Sequence, residues 1–247
     1  MAKKYLILVL LVVSTILSSC KEKVVELDSP PTVRMTVHPN FGGTTLYLDS
    51  VYTTQEGYDV KFTDIKFYLE NIRNGTEVLT DAALFDYRAR GNNFFDIGAD
   101  PQKFSALDAN LGVDASVNHN DPSAFPNSSM LNIINANDMH WEWNPGYIFL
   151  KIEAKVDTIP DATSLFNHNV VYHIGMDVNM QTLSFPSVNW IPNGIQSFIP
   201  MHVDMKAFLE TPEVIDLKDE PSSHSAPGED VLTLKVITNF KNAITLN

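Results

Sequence analysis

Apolar and aromatic runs alternate along the chain with clusters of Gly, Pro, Asn, Asp and Ser, and helical periodicity is weak throughout. That pattern predicts many short strands joined by turns. Candidate strands are Val33–Val37, Thr45–Tyr52, Val60–Asn71, Glu77–Asp86, Gly146–Glu153, Asn169–Met176, Ile199–Met205 and Val231–Ile237. In the third, Val60 and Phe62 share one parity, whereas Ile65, Phe67 and Leu69 share the other. A one-residue slip sends every side chain to the opposite face, so a β-bulge is expected near Thr63 and Asp64. Phe104–Leu111 and Lys206–Leu209 are expected as short helices. The fold expected is all-β, an antiparallel β-sandwich of Greek-key, immunoglobulin-like type, with long loops and minor helical turns.

Three stretches lack strong periodicity: Gly91–Gln102, Gly112–Asn137 and Leu217–Asp230. Loops of this length in a compact domain are usually functional or mobile. The second is rich in Asn, Asp, Ser and Pro and runs into the segment NDMHWEWNPGYIFLKIE at Asn137–Glu153. Two of the chain's three tryptophans, Trp141 and Trp143, stand there beside His140.

The N-terminus has a different character. Lys3 and Lys4 precede an apolar run, Tyr5–Ile16, that is short for a membrane span and reads as a signal peptide. Leu17-Ser18-Ser19-Cys20 then has the pattern of a bacterial lipoprotein cleavage site, with Cys20 as the acylated residue. Residues 1–20 are thus expected to be leader, Lys21–Pro31 a polar tether, and 32–247 one domain. Cys20 is the single cysteine, so the domain itself has no disulfide, thiolate metal site or cysteine nucleophile.

The formal net charge is −13, and losing the leader removes two lysines and no acid. Such a surface repels phosphate backbones, which argues against nucleic acid as a partner. Hydrolase and phosphate-loop signatures are absent, and no nucleophile is arranged with a base, so an enzyme is not expected. Metal ligation has to come from His, carboxylate, Met, backbone or a modified residue, and imidazoles without thiolate suit copper or zinc. Of the seven histidines, His119, His168 and His224 lie in polar loops and read as surface residues. His202 alternates with Asp204 in FIPMHVDM, as a half-exposed strand residue or an outer ligand. His38, His140 and His173 have apolar neighbours and read as either hydrogen-bonded core residues or ligands.

Taken in order, His38 with Gly42 and Gly43, VKFTDIKFYLENI, Gly112–Asp114, MHWEWNPGYIFLKIE, and Tyr172–Gly175 resemble the MbnP-type copper-binding proteins (MopE-related), over roughly Thr32 to the C-terminus. The most specific pieces are Met139, Trp141, Trp143, Gly146 and Tyr147, and then the His-Ile-Gly at His173. Many such proteins are lipoproteins of Bacteroidetes-type bacteria, which agrees with Cys20 and with a periplasmic or outer-membrane location. The resemblance implies a mononuclear copper site held by two histidines, by position His38 and His173. It also implies that Trp141 or Trp143 is oxidised to kynurenine by a MauG-like di-haem c-type peroxidase. His140 departs from the pattern, which has an aromatic residue there, and is either an outward residue or an extra ligand. The competing expectation is a metal-free surface lipoprotein that binds a glycan or a protein, with Trp141 or Trp190 facing solvent in a groove.

Overall fold

The structure is a computed structural model that describes residues 29–141, 146–159 and 165–246. Cys20, most of the tether and Trp143 lie outside the described residues. The chain runs through β1 (Thr32–Phe41), the short β2 (Thr44–Thr45) and β3 (Tyr52–Thr53), the long β4 (Asp59–Asn74) and β5 (Glu77–Asp86). A helical turn, α1 (Tyr87–Arg90), leads to β6 (Asn93–Gly98) and β7 (Leu107–Leu111). Two further turns, α2 (Ala115–Asn118) and α3 (Ile133–Ala136), precede β8 (Ile148–Asp157), β9 (His168–Gly175), β10 (Gln181–Phe185), β11 (Ile191–Asn193) and β12 (Gln196–Asp204). The chain closes with α4 (Met205–Glu210), β13 (Ser222–Ser223), α5 (Asp230–Ala243) and β14 (Ile244–Leu246).

Two sheets form, as the alternation predicts. Sheet one has β1 and β12 at its centre, with β2 and β6 along β1, and β11 and β14 along β12. Sheet two runs β10-β7-β4-β8-β9-β13, with β3 and β5 on the other edge of β4. The expected all-antiparallel pairing needs correction at two places. β1 and β12 are parallel from Thr32 opposite Gln196 to Asn40 opposite Asp204, and β13 is parallel to β9. The bulge falls where parity demands it, between Phe62 and Asp64.

Alternation also decides the core. Val33, Met35 and Val37 of β1 and Ile199, Met201 and Val203 of β12 face Phe67 and Leu69 of β4, Leu150 and Ile152 of β8, and Tyr172 and Ile174 of β9. Each such buried side chain contributes about 1.5–3 kcal/mol. The predicted strand Val231–Ile237 is instead the start of α5. Thr233, Val236, Ile237 and Phe240 are buried at helical spacing, while Val231 and Leu234 are exposed. The predicted helix Phe104–Leu111 is largely β7, because Leu107, Ala109 and Leu111 alternate inward. The predicted loop Gly91–Gln102 holds β6, and Thr45–Tyr52 pairs only at its ends.

A second apolar cluster lies on the outer face of sheet two. The long Asn-rich segment folds over that face, and Val113, Leu131, Met139 and Trp141 pack on Tyr68, Tyr147 and Phe149. Gly112 begins this cover with φ +119, and a Cβ there would stand 2.6 Å from the Phe149 ring. No side chain but hydrogen fits.

Candidate functional site

The register across sheet two sets out a row of polar groups on its outer face. Asp86 of β5 is opposite Lys66 of β4, Lys66 is opposite Lys151 of β8, and Lys151 is opposite His173 of β9. One row along, Asp64 is opposite Glu153. Two lysines, each less than 10% exposed, thus lie among carboxylates: Lys66 Nζ is 3.3 Å from Asp64 and 3.4 Å from Asp86, and Lys151 Nζ is 3.3 Å from Glu153. Burial opposes both ammonium charges, but the hydrogen bonds to Asp138 and the carboxylates nearby win, so both pKa values rise.

Asp138 clasps this row to the segment that carries the tryptophan. Lys66 Nζ donates to its Oδ1 at 2.6 Å, and Lys151 Nζ donates to its Oδ2. Asn137 donates its side-chain amide to Asp86. Both Asn137 and Asp138 take positive φ, at 43° and 60°, a backbone that these short polar residues tolerate best among non-glycines. Burial would raise the Asp138 pKa; the two lysine hydrogen bonds reverse that and lower it. The chain leads from this clasp into Met139, His140 and Trp141, and Trp141 lies against Gly175 of β9.

Gly175 then makes room for the indole. A Cβ at this position would lie 2.5 Å from Trp141 Cζ3 and 2.6 Å from the Tyr147 carbonyl oxygen. The His-Ile-Gly motif therefore has a steric reason: glycine lets Trp141 lie over the strand two residues beyond His173. On the other side, the buried Asn118 accepts the Tyr147 N–H at 2.8 Å and donates to Asp177 at 2.7 Å.

An open cavity of about 510 Å³ results, lined by Asp138, His140, Trp141, Ile148, Lys151, His173 and His224. His173 Nε2 is 2.9 Å from Glu153 Oε1. An ionised carboxylate only accepts, so Nε2 carries the proton and Nδ1 keeps its lone pair. The His173 and His224 rings stand edge to face at 5.2 Å between centroids. The His140 ring lies 4.9 Å from that of Tyr147, whose hydroxyl donates to the Leu131 carbonyl. Burial lowers the His173 pKa, with Lys151 adding to it and Glu153 opposing. Burial also lowers that of His140, against Asp121 and the Trp141 backbone. Both rings are thus neutral near pH 7, the form that ligates metal.

The expected pairing of His38 with His173 does not survive this geometry. His38 shares the outward parity of β1 with Thr36, and His173 the outward parity of β9. The two rings leave opposite faces of a sandwich whose sheets pack about 10 Å apart. His38 is also hydrogen-bonded at both nitrogens, Nε2 to Thr36 Oγ1 at 2.9 Å and Nδ1 to the Asn92 amide at 3.1 Å. Its neighbour is His202, at 5.6 Å between ring centroids.

His140, expected as either an outward residue or an extra ligand, shares the cavity with Trp141, because it makes an isolated bridge to Tyr147 and does not lie in a regular strand. His224, read as a surface residue, is drawn in because β13 runs parallel to β9 and places it beside His173. The Lys66 and Lys151 row was missed as well. Its signal was the outward parity of Asp64 with Lys66 and of Lys151 with Glu153. Trp141 is buried, and Trp190 is half-buried with its Nε1 donating to the Phe104 carbonyl at 2.8 Å.

The family model described as MbnP matches residues 30–225. The chain belongs to the MbnP family. Among solved structures it matches MbnP from Methylosinus trichosporium at 16% identity and a TM-score of 0.50, covering 83% of this chain and 86% of that one. That likeness concerns the fold. No curated protein matches. Membership supports a copper-related function at the level of the family. The matched region takes in every residue of the cavity and ends one residue past His224.

The donor set fits such an ion in part. With metal–nitrogen bonds of about 2 Å, two imidazoles sharing an ion stand with centroids no more than roughly 6–7 Å apart, and the His173–His224 separation of 5.2 Å meets that. Among the described residues no three His, Cys, Asp or Glu side chains are grouped closely enough to enclose a metal. The His173 and His224 rings are in contact, and His140 and Trp141 line the same cavity. Low coordination by imidazole suits copper.

Proposed function

We propose that this chain binds a single copper ion, Cu(I) or Cu(II), at the sheet-two cavity, through His173 with a second imidazole from His224 or His140. It handles copper as cargo and catalyses no reaction. The observation that carries this reading is His173, whose tautomer is fixed by Glu153 while its ring borders a cavity with two further imidazoles and Trp141. A carboxylate behind a ligating histidine orients the ring and raises its basicity.

Trp141, the described tryptophan beside these imidazoles, is the candidate for oxidation to kynurenine, with a MauG-like di-haem c-type peroxidase as the oxidant. That product would add a weak nitrogen or oxygen donor to two imidazoles. Anchoring through Cys20 would hold the domain at the periplasmic or outer-membrane surface.

Protein isolated from its native periplasm should show one saturable, high-affinity site on Cu(I) titration. Mass spectrometry of the Trp141 peptide should show loss of one carbon and gain of one oxygen. Absence of a saturable site would sink the copper reading. An unmodified peptide would remove only the kynurenine part.

A further inference from the structure

We propose that a second cavity on the outer face of sheet two binds a neutral pyranose sugar, seated on Phe125 and hydrogen-bonded by Glu70, Asn71 and Asp81. The reading goes beyond copper and does not depend on it. The cavity measures about 440 Å³ and lies between β4, β5 and the Asn-rich segment that covers them. Small-molecule sites measure about 300–1,000 Å³. Glu70 shares the outward parity of Lys66 and Tyr68, so the cavity lies further along β4 from the lysine row.

A bulge in β4 shapes one wall. Leu69 and Ile72 are both buried in the inner core, although they are three residues apart. A regular strand would send them to opposite faces. Between them β4 takes three steps, Glu70 to Arg73, where β7 takes two, Asn110 to Asp108. Asn71 is the inserted residue, at φ 52°. The bulge brings both Glu70 and Asn71 to the cavity, where alternation alone would bring one. Asparagines fix the opposite wall. The buried Asn132 donates Nδ2 to the Phe125 carbonyl at 2.6 Å, and Asn135 Nδ2 donates to the Asn127 and Ser129 carbonyls, both at 2.7 Å. Tyr68 Oη donates to the Met130 carbonyl at 3.0 Å. The stretch from Phe125 to Met130 is thus held in place before any ligand arrives, which lowers the ordering cost of binding.

The chemistry of the walls selects the ligand. Glu70 and Asn71 are half-buried, with Asp81 and Ser128 at the exposed rim. Glu70 Oε2 accepts the Asn110 amide at 2.7 Å, which leaves Oε1 for a ligand. Among the described residues the Asn71, Asp81 and Ser128 side chains have no hydrogen bond within the protein. The same residues place two carboxylates on the cavity, Glu70 and Asp81, and no basic side chain, which excludes phosphates, sulfates and other anions. Burial raises the Glu70 pKa against the Asn110 hydrogen bond, and Asp114 and Asp81 add to the rise, a mark of the same negative field. The carboxylates only accept, whereas Asn71, Thr80 and Ser128 donate and accept. Sugar hydroxyls do both and match that mixture. An ammonium only donates and leaves the Asn71 amide hydrogens unmatched. Phe125, half-buried against the second apolar cluster, supplies an apolar seat for the C–H face of a pyranose.

The test is saturation-transfer NMR on the purified full chain with the methyl glycosides of glucose, galactose, mannose and xylose, and with putrescine as a cationic competitor. At least one glycoside should bind saturably, and putrescine should not displace it. Asn71→Gly removes the amide and keeps the bulge, because glycine takes φ 52° without strain. It should weaken sugar binding about tenfold, and Glu70→Gln should weaken it as well. Absence of saturable binding by all four glycosides would overturn the proposal. So would displacement by putrescine, or wild-type affinity in both Asn71→Gly and Glu70→Gln. Copper titration of the same samples reports on the copper reading separately.

Discussion

Each outer face of the sandwich carries a pair of neighbouring imidazoles, and the two pairs differ in what surrounds them. On sheet one, His38 and His202 are 5.6 Å apart, and on sheet two, His173 and His224 are 5.2 Å apart. His38 spends both nitrogens on neutral neighbours, Thr36 and Asn92. His173 gives one nitrogen to a carboxylate and borders a cavity that holds His140 and Trp141. Proximity of two rings is common to both faces. The carboxylate, the cavity and the indole belong to one. The electrostatics follow the same division: the sheet-one face has the exposed ion pair of Arg34 and Asp96, whereas sheet two has the buried lysine row.

The largest effect on stability should come from that row. Lys66→Met leaves the buried Asp86 without its cation and Asp64 with Lys151 alone, 3.6 Å away, and should cost about 3–5 kcal/mol in urea unfolding. Arg34→Met, on the solvated face, should cost about 0–1 kcal/mol. Equal losses would erase the distinction between the faces.

Glycines give the next contrast. Gly175→Ala drives a Cβ into Trp141 and the Tyr147 carbonyl, and should destabilise by about 1–3 kcal/mol with a red shift of tryptophan fluorescence. Gly98→Ala on sheet one meets open space and should change neither quantity measurably. An unshifted spectrum in Gly175→Ala would mean that the indole does not lie on β9.

The smallest effect is that of pH. His38, His140 and His173 all have lowered pKa values in the fold, so below about 6.5 the unfolded chain binds more protons. Their stabilising share is complete above that pH and is lost as pH falls through the lowered folded values. The urea midpoint should be lower at roughly pH 5.5 than at 7.5, and His173→Gln should narrow the gap. A gap that is unchanged in the variant would contradict the placement of a neutral His173.

The sandwich and the Thr63 bulge were legible because period-two burial leaves a direct trace. α5 was not, because the apolar residues at its N-terminal end mimic alternation, and only Phe240 and Ala243 beyond it complete the helical stripe. The tryptophan segment was legible as unusual, and its apolar strand from Ile148 as ordinary. His173 could be singled out from His-Ile-Gly. Its neighbours could not, because they come from β4, β8 and β13, and register between distant strands leaves no local mark. His224 shows the cost most plainly: polar on both sides in sequence, it reaches the site only through a two-residue parallel pairing.

The most direct test compares copper titrations of His173→Ala and His38→Ala, made in parallel from periplasm-derived protein. Loss of the saturable site in His173→Ala, with His38→Ala indistinguishable from wild type, is the expected result. Loss in His38→Ala with retention in His173→Ala would place the ion on the opposite face and contradict the account.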